Sequence, residues 1–192
     1  MALILASQSP RRKVLLGFIT TNFTVDEPRD EEKVDPGTPA DEMVRTLALR
    51  KARAVARRHP DDVVLGCDTV VELEGQVLGK PRDEQDAADM LRRLSGRQHH
   101  VYTGVALCRG GQETSFVSCT GVRFYPLEEE LIQWYVSTGE PADKAGAYGV
   151  QGYGSVLVQG LEGDYFTVMG LPVGQLYREL KRFAPDLAAD RP

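Results

Sequence analysis

Histidine and cysteine are scarce in this chain, and their scarcity removes several kinds of chemistry at once. Three cysteines, Cys67, Cys108 and Cys119, form no C-x-x-C pair and are joined by only three histidines, so neither a disulfide framework nor a zinc cluster is indicated. A reducing cytoplasm suits such cysteine use. No apolar run reaches the length of a membrane span, and the short N-terminal run has no basic region ahead of it, so neither a signal peptide nor membrane contact is expected. Without secretion, Asn22-Phe23-Thr24 is a glycosylation sequon in form only. Positive charge is also lacking. A net charge of -5 does not suit a protein that coats a nucleic-acid polymer, so any phosphate site must be local. No repeat, linker or low-complexity block divides the chain. One domain over residues 1–192, or two lobes sharing a sheet, is expected, with a frayed tail over 185–192.

What is present begins with Leu3-Ile4-Leu5-Ala6-Ser7-Gln8-Ser9-Pro10-Arg11-Arg12. Leu3 to Ala6 reads as a short buried strand, Ser9 as a helix N-cap, and Pro10 as the first helical residue, where its missing N–H costs nothing. Backbone N–H groups at a helix start, serine hydroxyls and forked guanidiniums together suit a polyanion, most naturally a phosphate chain. Taken alone, the same stretch could be a capped amphipathic helix with solvated arginines. Val14, Leu15 and Phe18 would form its inner side.

A strand at Phe23 to Val25 leads into Asp26 to Asp35, where eight residues are charged; most such carboxylates are solvated. A long helix opening at Thr38-Pro39 carries Met43, Leu47 and Val55 inward. Lys51 lies among them, either snorkelling or reaching a phosphate. Val63 to Val71 reads as a strand buried on both faces but interrupted by Asp68-Thr69. An aspartate there is costly unless paired, hydrogen-bonded or bound to metal, which makes Asp68 a functional candidate. Lys80 follows a short strand, held between Gly79 and Pro81. A helix near Asp83 to Leu94 is stopped by Gly96, and strands His99 to Cys108 and Thr114 to Phe124 are joined by Arg109-Gly110-Gly111. Leu131, Ile132, Tyr135 and Val136 mark another helix.

The loop Glu140 to Gly154 is rich in glycine but is neither a P-loop nor a dinucleotide fingerprint. Its Gln151 carries donors and an acceptor that suit a nucleobase edge, or equally a turn. Strands Ser155 to Gln159 and Tyr165 to Met169 are expected next, then a helix from Pro172 with Leu176, Leu180 and Phe183 inward. Ser7, Arg11, Arg12, Lys51, Asp68, Lys80 and Gln151 are the residues hardest to explain by packing or solvation. Lacking His or Cys ligands, a metal among them would be a hard ion such as Mg2+ or Mn2+. Metal-assisted attack of water on a phosphoryl group uses such parts.

In order, Leu5-Ala6-Ser7-x-Ser9-Pro10-Arg11-Arg12, Lys51-Ala52, Asp68-Thr69, Gly79-Lys80-Pro81, Ser95-Gly96 and Thr103-Gly104-Val105 resemble motifs of the Maf family of nucleoside triphosphate pyrophosphatases. The resemblance continues through Asp143-Lys144-Ala145-Gly146-Ala147-Tyr148-Gly149-x-Gln151-Gly152, Gly163-Asp164-Tyr165 and Gly170-Leu171-Pro172. It implies an α/β fold of the Maf/inosine triphosphatase-like kind, with a mixed, strongly twisted sheet flanked by helices and two lobes around a nucleotide cleft. It also implies a homodimer, a divalent metal, and cleavage of a nucleoside triphosphate to the monophosphate and pyrophosphate.

By that resemblance Asp68 is the catalytic proton acceptor and, with Glu32, a metal ligand; Glu31 is the near alternative to Glu32. Arg11, Thr69 and Gln151 match positions that tune substrate choice, while Ser7, Arg12, Lys51 and Lys80 match phosphate-binding positions. Cys67 stands where the family usually has alanine, a small change in a buried place. Gln151-Gly152 resembles the branch acting on dTTP and UTP, whereas an acidic residue there marks the branch acting on 7-methyl-GTP. An amide can meet the mixed edge of uracil or thymine; a carboxylate only accepts and suits guanine. A 7-methyl-GTP pyrophosphatase and a septum-formation regulator acting by protein binding are the alternatives.

Overall fold

The computed structural model describes residues 1–29, 34–35 and 37–188. Among the described residues seven strands form one mixed sheet: β1 (Leu3–Ala6), β2 (Phe23–Val25), β3 (Val63–Leu73), β4 (Gln76–Leu78), β5 (Gln98–Arg109), β6 (Gln112–Phe124) and β7 (Val158–Glu162). Their order is β2-β1-β3-β5-β6-β7, with β4 paired to β3. The α-helices among the described residues are α1 (Pro10–Gly17), α2 (Ala40–Ala56), α3 (Glu84–Leu94), α4 (Glu129–Ser137), α5 (Tyr165–Met169) and α6 (Val173–Phe183). The chain divides into two compact units, one of Met1–Asp68, Thr103–Ser118 and Gly170–Pro192, the other of Thr69–Tyr102 and Cys119–Met169.

The first unit is built on parallel pairing. Leu3 lies opposite both Phe23 and Val63, and Ala6 opposite Gly66. Every residue of β1 is buried, as expected for a parallel strand covered on both faces. α2 packs through small residues: Ala48, Ala52 and Val55 cluster with Ile4, Ala6, Val64, Ala106 and Cys108. Its inner side is therefore Val44, Ala48, Ala52 and Val55, while Met43 and Leu47 are only half-buried. A Cβ on Gly66 would stand 2.3 Å from the Ala48 carbonyl oxygen, and one on Gly104 2.3 Å from that of Val44. Helix backbone thus rests directly on two glycines, an approach that larger side chains would block. In α1 the inward residues are Leu15 and Leu16, with Val14 and Phe18 exposed. The buried turn that follows, Ile19 and Thr20, sets the face of so short a helix.

The second unit has its own core, including Val71, Leu78, Leu91, Leu94, Phe124, Ile132, Tyr135, Tyr148 and Leu157. Asp83 caps α3 by accepting from the Asp86 N–H at 2.8 Å, and Gly96 follows its end at φ +68°. Gly110 and Gly111 both have positive φ, as a two-residue hairpin turn between β5 and β6 requires.

Two expected strands differ. Residues Gly152–Leu157 form a 3-10 helix and the strand begins only at Val158. Tyr165–Met169, rich in strand-favouring residues, is α5: the Asp164 carboxylate accepts from both the backbone N–H and the hydroxyl of Thr167, each at 2.9 Å. That cap overrides a weak local preference. Beyond α6, Pro185–Ala188 continues as a 3-10 turn with Leu187 buried.

Candidate active site

In the first unit the parallel register gathers the carboxyl ends of β2, β1 and the corresponding point of β3. Asp26 N–H donates to the Leu5 carbonyl at 3.3 Å, and Ala6 pairs with Gly66, which brings Ser7 level with Cys67 and Asp68 next along β3. Ligands of α/β sheets are generally met at such strand ends. From here α1 starts as expected: the Ser9 hydroxyl accepts from the Arg12 N–H at 3.4 Å, and Pro10 is the first helical residue. Arg12 is braced on both sides, its Nε donating to the Gly170 carbonyl at 2.9 Å and its Nη1 to the Ser7 Oγ at 3.3 Å. Ser7 Oγ also accepts from the Ser9 N–H at 3.2 Å. Arg11 is half-buried on the same first turn.

Lys51 and Asp68 are joined directly, the Lys51 ammonium donating to Asp68 Oδ1. Their side chains are 24% and 15% exposed, so the pair is screened by water only in part. The contact follows from the packing of α2: Ala48 and Ala52 press on Gly66, and Lys51, beside Ala52, reaches the strand two residues beyond that glycine. Burial pushes the Cys67 thiol up to about 11, although the charges of Arg12 and Lys51 reach it and oppose the rise. Serine, two guanidiniums, an ammonium and one carboxylate thus share one neighbourhood. Asp68 Oδ2 accepts no hydrogen bond among the described residues. It is a hard, anionic donor of the kind that fits Mg2+ or Mn2+ together with phosphate oxygens. Glu32, with Glu31 and Asp30, lies outside the described residues.

The other expected residues belong to the second unit. Thr69 is half-buried on β3, and Lys80 is exposed in the turn after β4. That turn is tied to the glycine-rich loop by the Gly146 N–H, which donates to the Gly79 carbonyl at 3.0 Å. Gln151 is half-buried between Val150 and the 3-10 helix Gly152–Leu157. Sequence reasoning missed Glu140, whose carboxylate accepts from the Tyr135 hydroxyl at 2.9 Å and from the N–H groups of Tyr153 and Gly154 at 2.9 and 3.0 Å. An acid ahead of a run of glycines, whose N–H groups need acceptors, was the available signal.

The family model of Maf-like protein matches residues 2–183. This chain belongs to the Maf family. The dTTP/UTP pyrophosphatase of Symbiobacterium thermophilum is 54% identical over 182 residues, 94% of this chain and 93% of that protein. The proteins of the same name from Bacillus velezensis and Halalkalibacterium halodurans are 49% and 51% identical, over 94% and 93% of this chain and 96% and 94% of theirs. Among solved structures, a HAM1 protein from Coxiella burnetii aligns with a TM-score of 0.54 at 13% identity, covering 94% of this chain and 98% of that one. That likeness bears on the fold alone. The mixed sheet flanked by helices agrees with what the Maf motifs imply.

Proposed function

We propose that this Maf protein is a nucleoside triphosphate pyrophosphatase that cleaves dTTP and UTP to the monophosphate and pyrophosphate. The observation that carries the reading is the Lys51–Asp68 pair, with Asp68 on β3 just past the carboxyl end of the parallel strand β1 and near the capped start of α1. The nucleotide is proposed from the names of relatives about half identical over nearly the whole chain.

Asp68 accepts a proton from the water that attacks the α-phosphorus. As the new P–O bond forms, the bond from the α-phosphorus to the bridging oxygen breaks, and pyrophosphate leaves with that electron pair. Ser7, Arg11, Arg12, Lys51 and Lys80 hold the triphosphate and stabilise charge on the leaving group. Lys51 serves twice: paired with Asp68 it lowers the repulsion a polyanion meets there, and an arriving phosphate competes for the same ammonium. Asp68 and Glu32 would hold a divalent cation, Mg2+ or Mn2+, which when bound supplies Lewis-acid charge neutralisation on phosphate oxygens. Thr69 and Arg11 adjust substrate choice, and Gln151 reads the pyrimidine edge. The reading carries a cytoplasmic homodimer that clears nucleotides, including non-standard ones, from the pool.

The test is pyrophosphate release from dTTP, UTP, CTP, GTP, 7-methyl-GTP and modified pyrimidine triphosphates with either cation, for wild type and Asp68→Asn. Turnover of dTTP and UTP should fall ~10²–10⁴-fold in the variant, the range typical of a lost general base. Near-normal turnover by folded Asp68→Asn would remove Asp68 from its role. Turnover of 7-methyl-GTP alone would replace the substrate. No turnover at all would favour a septum-formation regulator.

A further inference from the structure

The glycine-rich loop of the second unit is organised around one carboxylate to which the proposed reaction gives no part. Gly139, at φ +72°, lets the chain leave α4 and begin the 3-10 helix Glu140–Asp143. Glu140 then faces back toward α4. Its Oε1 accepts from the Tyr135 hydroxyl at 2.9 Å and from the Gly154 N–H at 3.0 Å, while Oε2 accepts from the Tyr153 N–H at 2.9 Å. The Tyr135 oxygen in turn accepts from the Gly149 N–H at 3.0 Å. Carboxylate and phenol therefore bind backbone donors on both sides of Gln151.

The fit is close. A Cβ on Gly152 would stand 2.5 Å from Glu140 Oε2, and one on Gly149 3.3 Å from Oε1. Tyr135 is fully buried, and burial pushes its phenol well above the usual range, so it remains a neutral donor to Glu140. Tyr148 is anchored separately, its hydroxyl 2.7 Å from His99 Nε2. Between these fixed points the Gln151 side chain makes no hydrogen bond among the described residues. A half-buried amide on a backbone held this firmly keeps one placement, with its donors and acceptor available to a ligand.

We propose that Glu140, acting with Tyr135, is the positioning residue for nucleobase selection: it fixes the backbone from Gly149 to Gly154 so that the Gln151 amide meets the pyrimidine in one orientation. The inference rests on the reading that Gln151 contacts the base. Its energetic logic is that of a site built from hydrogen bonds, where an incorrect base leaves polar groups unpaired and discrimination depends on rigid placement. Glu140 touches no reacting atom, so its loss acts on selection before it acts on chemistry.

Steady-state kinetics on dTTP, UTP and GTP test this for Gln151→Ala, Glu140→Ala, Glu140→Gln, Tyr135→Phe and the double variant Glu140→Ala/Gln151→Ala. Glu140→Ala should raise KM for dTTP about 10–100-fold and collapse the dTTP-to-GTP ratio of kcat/KM, with kcat within about threefold of wild type. Tyr135→Phe should fall between wild type and Glu140→Ala. Glu140→Gln keeps one acceptor oxygen and should recover part of the ratio. Amide hydrogen exchange at Gly149, Tyr153 and Gly154 should quicken in Glu140→Ala. The double variant should be no less selective than Gln151→Ala alone, because both changes remove one interaction. If Gln151→Ala leaves the ratio unchanged, the base-contact reading fails and this inference with it. If Gln151→Ala collapses the ratio but Tyr135→Phe and Glu140→Gln do not alter it, the base contact stands and the positioning role is refuted. An equal drop in kcat for all three nucleotides at unchanged KM would also refute it. Should Glu140→Ala not fold, Tyr135→Phe and Glu140→Gln decide the question.

Discussion

Replacing Gly66 by alanine adds one methyl group, and the structure sets what that methyl must displace. Its Cβ would lie 2.3 Å from the Ala48 carbonyl oxygen, 2.7 Å from the Ala52 nitrogen and 3.0 Å from the Ala52 Cβ. The first two are backbone atoms of α2, so no side chain can swing aside. Restoring ordinary contact requires α2 and β3 to separate by roughly 1 Å, an overpacking change that typically costs ~1–3 kcal/mol. For a chain of this size each kcal/mol lowers Tm by about 2–4 °C, so a drop of about 2–12 °C is expected. Lys51 moves with α2, and Asp68 lies two residues from the substituted position. A misplacement of about 1 Å in an active site can cost ~10²-fold in rate, so if Lys51 and Asp68 act as proposed, turnover should fall even far below Tm. Gly17→Ala, at a position with nothing within 4 Å of the new methyl, is the control and should be neutral or slightly stabilising. Thermal unfolding and turnover of both variants check the argument. A Gly66→Ala protein with wild-type Tm and wild-type turnover would refute the close contact between α2 and β3 and the dependence of the Lys51–Asp68 pair upon it.

Lys51→Ala should leave the partly buried Asp68 carboxylate without its cation, lowering the urea midpoint by the equivalent of ~1–3 kcal/mol and weakening triphosphate binding; denaturation and KM measure the two effects. His99 supplies a pH dependence. Burial, with a smaller contribution from the charge of His100, holds its folded pKa down at about 4, against an ordinary value of 6.5. The unfolded chain therefore binds the proton first. Stability is fully present above pH 6.5 and falls as pH drops from 6.5 toward 4, by about 3 kcal/mol in all. His99→Phe should flatten that part of the stability curve relative to wild type, and an identical slope in both proteins would exclude His99 as its source.

The candidate site residues were more legible in the sequence than the residues that arrange them. Ser7, Arg12, Lys51 and Asp68 stood out by their surroundings: a hydroxyl at the end of an apolar run, a guanidinium just past a helix cap, a lysine on an inward face, a charge within an apolar strand. The structure brings these four into one neighbourhood. Gly66 and Gly104 gave no such warning. A glycine in a strand can mark a bulge, a bend or a close approach, and only the partner identifies which. The partner here is helix backbone across long sequence separations.

The misassignment of Tyr165–Met169 and the oversight of Glu140 have one physical origin. In both places a carboxylate takes up backbone donors: Asp164 accepts from the Thr167 N–H in a five-residue helix, and Glu140 accepts from the N–H groups of Tyr153 and Gly154, thirteen and fourteen residues further along. Residue preference is summed over side chains, whereas these segments are decided by where unpaired backbone donors find acceptors. Short elements are most exposed to this, because a five-residue helix leaves most of its backbone groups unsatisfied from within and a single cap can determine its state. The second unit of this Maf protein, in which 3-10 turns, a short helix and glycines follow one another from Gly139 to Met169, is where sequence pattern is weakest. It is also where Gln151 lies, on a loop whose conformation rests on acceptors supplied by Glu140 and Tyr135.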